Sequence, residues 1–201
     1  MRLFISIILT WAVFAVPASA DPVVPSADSS TLTFADQSTM TVYGSSNVRD
    51  WTMDVKQMSG SVVLGEANEA VPSIQTIRID VPVQKMVSEK DRLQRHAHEA
   101  LKKEEHPTIS FTASDVQVAK ADADSFSVVA NGNLTIAGET RSVTLTAKGI
   151  QAEDGAISVK GDHRLKLTTF DVERPSLMFG AIKVDNPVRI GFSAVLSPAS
   201  E

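Results

Sequence analysis

The stretch NGNLTIAGETRSVTLTAKG, Asn131–Gly149, holds two alternating runs about a short turn. Leu134 and Ile136 point one way, Asn133 and Thr135 the other. Beyond AGET (Ala137–Thr140), Val143, Leu145 and Ala147 alternate with Thr144, Thr146 and Lys148. A period of two on both sides of a turn is a hairpin with one buried face. Something apolar must cover that face, and the chain offers few helices to do so.

Outward from the hairpin the same period recurs. Strand-like runs are Thr31–Ala35, Thr39–Gly44, Trp51–Gly65 (bent at Ser59-Gly60), Ile74–Val83 and Thr108–Ala119. Ser125–Ile136, Arg141–Ala152, Ala156–Phe170 and Val188–Ser197 follow. Turn signals at Ala121–Asp124, Ala137–Thr140 and Asp154-Gly155 separate several of them. This spacing predicts an all-β, antiparallel architecture. No repeat of fixed period underlies it.

One segment breaks the pattern. In SEKDRLQRHAHEALKKEEHP, Ser88 is placed as an N-cap with Asp91 three residues on. Leu93, Ala97, Ala100 and Leu101 form a narrow apolar stripe. Lys102 and Lys103 suit the negative end of the helix dipole, and Pro107 stops the helix. This predicts one amphipathic helix across a barrel wall or mouth. It is too small to cover a sheet, so the strands must cover one another.

One parity of each strand is dry. It carries Ile77, Ile79 and Val81; Ile109, Phe111 and Ala113; Phe126, Val128 and Ala130; Leu165 and Leu167; and Val188, Ile190, Phe192, Ala194 and Leu196. The other parity is mostly Thr, Ser, Lys, Arg, Asp and Asn. Strands of this kind close into a barrel or stack as a sandwich. A barrel of about eight strands either fills with side chains or holds one small ligand. The many Ala, Gly and Val residues on the dry face favour a cavity, because small side chains fill a cylinder poorly. A solid sandwich with a small core is the alternative.

The N-terminus carries Arg2, an apolar run Leu3–Val16, and PASA at Pro17–Ala20. The run is shorter than the roughly 20 residues of a spanning helix, and Ala18 and Ala20 fit an A-x-A cleavage site. Residues 1–20 are therefore expected to be a cleaved signal peptide, with no stable membrane insertion afterwards. Residues 21–30, rich in Pro, Ser and Asp, are expected to be a loose leader, and 31–197 a single domain. The roughly 180 residues that remain suffice for a core. The chain has no Cys, which excludes disulfides, thiolate metal sites and Cys nucleophiles. A net charge of −5 with mixed signs and few aromatics gives no nucleic-acid footprint.

Four segments occur in order after this leader: YGSSNVRDWTMDVKQMSGSV (Tyr43–Val62), EALKKEEHPTISF (Glu99–Phe111), GNLTIAGETRSVTL (Gly132–Leu145) and LKLTTFDVERPSLMFGAIKVDNPVRIGF (Leu165–Phe192). Together they resemble the YceI-like family of lipocalin-like, polyisoprenoid-binding periplasmic proteins, over roughly Leu32–Leu196. The resemblance implies an extended antiparallel lipocalin-like β-barrel with one helix in a connection. It implies a periplasmic location and an apolar lumen holding an isoprenoid chain, either a quinone tail or a polyprenyl phosphate. Many relatives carry His where Arg49 stands here. A homodimer through an exposed mouth or edge is compatible with such a barrel.

On this reading the lumen would be lined by Ile77, Ile79, Phe111, Phe126, Val128, Leu134, Leu145, Leu165, Leu167, Ile190 and Phe192. Each has simple core packing as its plainer role. Trp51, Phe170, Met178 and Phe179 fall in less regular segments that form either a mouth or a plug. Arg49, Arg174 and Lys183 lie in the family-like segments and are expected to contact a phosphate head, with solvated surface as the alternative. His163 shares the parity of Leu165 and would face inward as a further head-group residue, unless a bulge at Gly161-Asp162 reverses it.

Catalytic signals are weak. His96 and His98 sit two apart on the helix, about 200° around it, and cannot share a metal from one face. There is no G-x-S-x-G, H-E-x-x-H or P-loop pattern. The expectation is a carrier with no cofactor, metal or chemistry of its own. A hydrolase using His163 and a carboxylate, and a structural or stress-protective module, are the alternatives.

Overall fold

The computed structural model describes residues 31–66, 71–122, 125–152, 156–177 and 181–198. The expected signal peptide and leader, Asp154-Gly155, Met178 and Phe179 lie outside these residues. The elements are β1 (Thr31–Phe34), β2 (Thr39–Ser46), β3 (Asp50–Val55), β4 (Ser59–Leu64), β5 (Ile74–Pro82), β6 (Met86–Val87) and α1 (Asp91–Ala100). They continue with β7 (Thr108–Asp122), β8 (Ser125–Ile136), β9 (Glu139–Gln151), β10 (Ile157–Lys166), β11 (Ser176–Leu177) and β12 (Ile182–Pro198).

Every large pairing is antiparallel, and the order β1-β4-β5-β7-β8-β9-β10-β12 returns to β1 as a ring of eight strands. β2, β3 and β6 extend that ring rather than add to it. β12 pairs first with β2 and then with β1, β3 pairs with β2, and β6 pairs with β3. Thus β1 with β2, β3 with β4, and β5 with β6 are long strands that each bend once. The barrel is an up-and-down meander, and its closed ring leaves no sheet edge at the seam. The sandwich alternative is excluded.

The deciding hairpin forms as read. Ile136 faces Glu139 across a two-residue turn in which Ala137 and Gly138 have φ of 50° and 89°. Two left-handed residues match the twist of the flanking strands. A Cβ on Gly138 would lie 2.6 Å from His106 Nε2, so the histidine after the helix packs over the turn.

Several boundaries differ from the sequence reading. The Trp51–Gly65 run breaks at residues 56–58 rather than only at Ser59-Gly60. Ser88 does not cap α1. Its hydroxyl donates to Thr52 O at 3.2 Å, and Lys90 is the N-cap residue. Leu167–Phe170 is a 3₁₀ turn instead of the end of a strand. Asn186 imposes the turn by accepting from Thr168 N–H and donating to Thr168 Oγ1. A register shift between Ala113 and Asp115 changes the parity of β7, so Val116 and Val118 turn toward the apolar interior.

The interior has two clusters. One gathers Leu32, Val62, Phe126, Val128, Ile157 and Leu196 at the β1 end. The other gathers Met53, Val83, Phe111, Leu134 and Phe170 toward α1. Glycines in the wall make room for rings on neighbouring strands. A Cβ on Gly44, Gly149 or Gly161 would fall within 2.0, 2.3 or 2.7 Å of the rings of Trp51, Phe126 and Phe192, respectively.

Candidate functional site

Between the two clusters the barrel is neither filled nor a single open tunnel. It holds two apolar cavities, of about 160 and about 100 Å³. An apolar cavity of about 150 Å³ is large enough for a benzene-sized guest. Ile109 and Ile190 line both cavities and stand between them.

The sequence-expected residues divide between the two spaces. Ile77, Ile79, Phe111, Val128, Leu134, Leu145, Ile190 and Phe192 line the first cavity, together with His163. Trp51, Leu165, Leu167, Phe170 and Ile190 line the second, under the helix stripe Leu93, Ala97, Ala100 and Leu101. Phe126 lines neither. Its ring packs on Gly149 inside the β1-end cluster, 3% exposed. Trp51 is held in place, with Nε1–H donating to Ser45 O at 3.0 Å and the ring over Gly44.

Other lining residues escaped the sequence reading. Phe34, Met40, Met58 and Val62 line the first cavity, and Val42, Met53 and Met86 the second. Met58 lies in the break between β3 and β4, and the others sit on the bent strands β1–β6, where short runs interrupt the alternation.

The basic residues are not gathered in the lumen. Arg49, Arg174 and Lys183 are exposed and line neither cavity. Their segments do adjoin. Asn47, in the turn before Arg49, donates through Nδ2 to Ala181 O at 2.8 Å and accepts from Lys183 N–H at 2.9 Å. Val184 N–H donates to Pro175 O, the residue after Arg174. Pro175 and Val184 line the second cavity, so the three cations belong to its rim segments.

His163 is apart from them. β10 pairs with β12 in unbroken register through Gly161↔Phe192 and His163↔Ile190, so no bulge reverses it. Its ring has no hydrogen-bond partner among the described residues. Burial lowers its pKa from 6.5, against a smaller upward pull from the Asp162 charge. The fold therefore prefers the neutral imidazole. Its contribution to stability is complete above pH 6.5 and is lost as pH falls through the lowered folded-state value. His163→Leu should thus lose less melting temperature than the wild type between about pH 7.5 and about pH 5.5. Equal losses in thermal scans would refute this.

Residues 26–196 match the YceI-like domain. The chain belongs to this family. Among solved structures, this YceI-like barrel is similar to Burkholderia cenocepacia BcnA, at 19% identity, covering 80% of this chain and 96% of that one, with a TM-score of 0.62. A polyisoprenoid binding domain from Saccharophagus degradans, implicated in plant cell wall breakdown, matches at 12% identity over 85% of this chain and 99% of that one, with a TM-score of 0.66. The Campylobacter jejuni YCEI protein matches at 17% identity over 74% and 85%, with a TM-score of 0.55. At these identities the likeness concerns the fold. No curated protein matched the chain. Among the described residues no helix of the YceI-like barrel is long and apolar enough to cross a membrane, and no group of His, Asp and Glu could hold a metal ion.

Proposed function

We propose that this YceI-like protein is an exported, periplasmic carrier that holds an isoprenoid-type lipid in its lumen and performs no chemistry on it. The observation that carries this reading is the pair of apolar cavities in line within a closed barrel, walled almost wholly by aliphatic and aromatic side chains. Membership of the YceI-like family and similarity to a structure described as a polyisoprenoid binding domain support it.

The energetics suit such a guest. Burial is worth ~0.8 kcal/mol per CH₂-sized group, or about 3–4 kcal/mol gross for each five-carbon unit. Ordering the chain offsets part of this. The two cavities as they stand hold short segments. A longer tail needs the Ile109 and Ile190 side chains to turn aside so that the spaces join. A wall of this kind selects width and length more than chemistry.

The head group has two places to go. A phosphate would sit at the rim of the second cavity, within reach of Arg49, Arg174 and Lys183. A quinone carbonyl would suit the neutral His163 inside the first. Native mass spectrometry of the protein from its own host, with identification of any released mass, tests the reading. A bound isoprenoid lipid is the expected result. Protein free of lipid that also takes up neither a quinone nor a polyprenyl phosphate would favour the structural module instead.

A further inference from the structure

Among the described residues, Ile157 at the β1 end and Phe170 at the helix end are buried large side chains. Between these ends the wall of the barrel has a gap. Five residue pairs join β9 to β10, from Ile157↔Gln151 to Gly161↔Ala147. Twelve pairs join β8 to β9, and ten join β10 to β12. Beyond Gly161 and Ala147 the two strands part. Residues 139–146 of β9 and 162–166 of β10 then have no ladder partner in each other. The 3₁₀ turn Leu167–Phe170 touches β9 again and bounds the gap at its far end.

The inward residues of β8, from Phe126 to Ile136, are buried except at Gly132. Val143, Leu145 and Ala147 of β9, and Val159, His163 and Leu165 of β10, point inward and are only half-buried. Ile77 and Ile79 of β5 and Ile190 and Phe192 of β12, which also line the lumen, are half-buried too, so it is the ladder that locates the gap. Leu145 and His163, on opposite sides of the gap, also line the first cavity, so the gap opens onto it.

We propose that this window between β9 and β10 is the portal through which the lipid tail enters and leaves. The proposal rests on the carrier reading above. The inward side chains at the window edges are Val143 and Leu145 on one strand and His163 and Leu165 on the other, so an alkyl chain passes apolar groups and one imidazole. A backbone edge lacking its ladder partner can part further at little cost, because no hydrogen bond between these strands has to break.

The absence of Cys allows a direct test. Continuing the ladder would set Ser142 opposite Lys166; both are exposed and face away from the lumen. A Ser142→Cys/Lys166→Cys protein is joined by a short bismaleimide and compared with the same protein capped by a monomaleimide. The probe is a benzoquinone with a two-isoprene tail, followed by quenching of Trp51 fluorescence in stopped flow. Crosslinking should slow both association and dissociation at least ~10-fold while the dissociation constant changes less than ~3-fold. Unchanged rates with normal binding would overturn the window and leave the carrier reading intact. Absence of binding in the capped protein, in its unmodified wild type and with a polyprenyl phosphate would overturn the carrier reading and the window with it.

Discussion

Phe170→Ala should lower the melting temperature by roughly 6–20 °C. The ring is among the largest fully buried side chains and is 1% exposed. It sits in the turn that β10 makes after Lys166, where Asp171 takes a φ of 51°. Removing a buried phenyl group costs about 3–5 kcal/mol, part from lost transfer and part from the space left behind. In a domain of this size each kcal/mol is worth about 2–4 °C. Phe170 also lines the second cavity, so its loss widens that space as it weakens the fold. Differential scanning calorimetry measures the shift. A change under about 2 °C would mean that the helix end of the barrel collapses around the vacancy.

Ala147→Trp should reduce affinity for an isoprenoid probe by roughly 100-fold or more. Ala147 lines the first cavity at the last rung between β9 and β10. An indole there takes up a space of about 160 Å³ and displaces the tail segment that would occupy it. One five-carbon unit is worth about 3–4 kcal/mol gross, which sets the size of the loss. The fold should tolerate the change, because Ala147 is only half-buried and overpacking costs about 1–3 kcal/mol. Isothermal titration calorimetry with the quinone supplies the affinity, and a thermal scan supplies the control. Full affinity in a folded variant would place the tail outside the first cavity.

The strands and their wet and dry faces were legible because the later strands alternate without interruption, while closure into a barrel rather than a sandwich came from the family resemblance. Phe126 to Ile136 and Val143 to Gly149 keep one parity through their whole lengths, and the two-residue turn between them carries its own signal in Ala137-Gly138. The first third was harder. Phe34, Met40 and Val62 sit on strands that bend or shift register, and Met58 in the break between two of them, where a run of four to eight residues carries little periodic information. The parity change in β7 hid Val116 and Val118 for the same reason. Sequence pattern also could not give the division of the lumen at Ile109 and Ile190. Each reads as one more inward residue, and only their closeness in space makes them a partition. Arg49, Arg174 and Lys183 were chosen by segment, and the segments do meet at one rim. Where their side chains end is a matter of rotamers, which no spacing encodes.

The seam of the ring joins the two ends of the fold. Leu32 faces Pro198, Phe34 faces Leu196, and Ser38 Oγ exchanges hydrogen bonds with both the N–H and the C=O of Val195, 157 positions away in the chain. Bringing such distant segments together spends chain entropy before any contact across the junction repays it. The neighbouring hairpins can zip locally, each over a short connection. Closing β12 onto β1 and β2 therefore carries the largest closure cost of any pairing in the fold, and a chain that fails to make it leaves its greasy inner wall open to water and to aggregation.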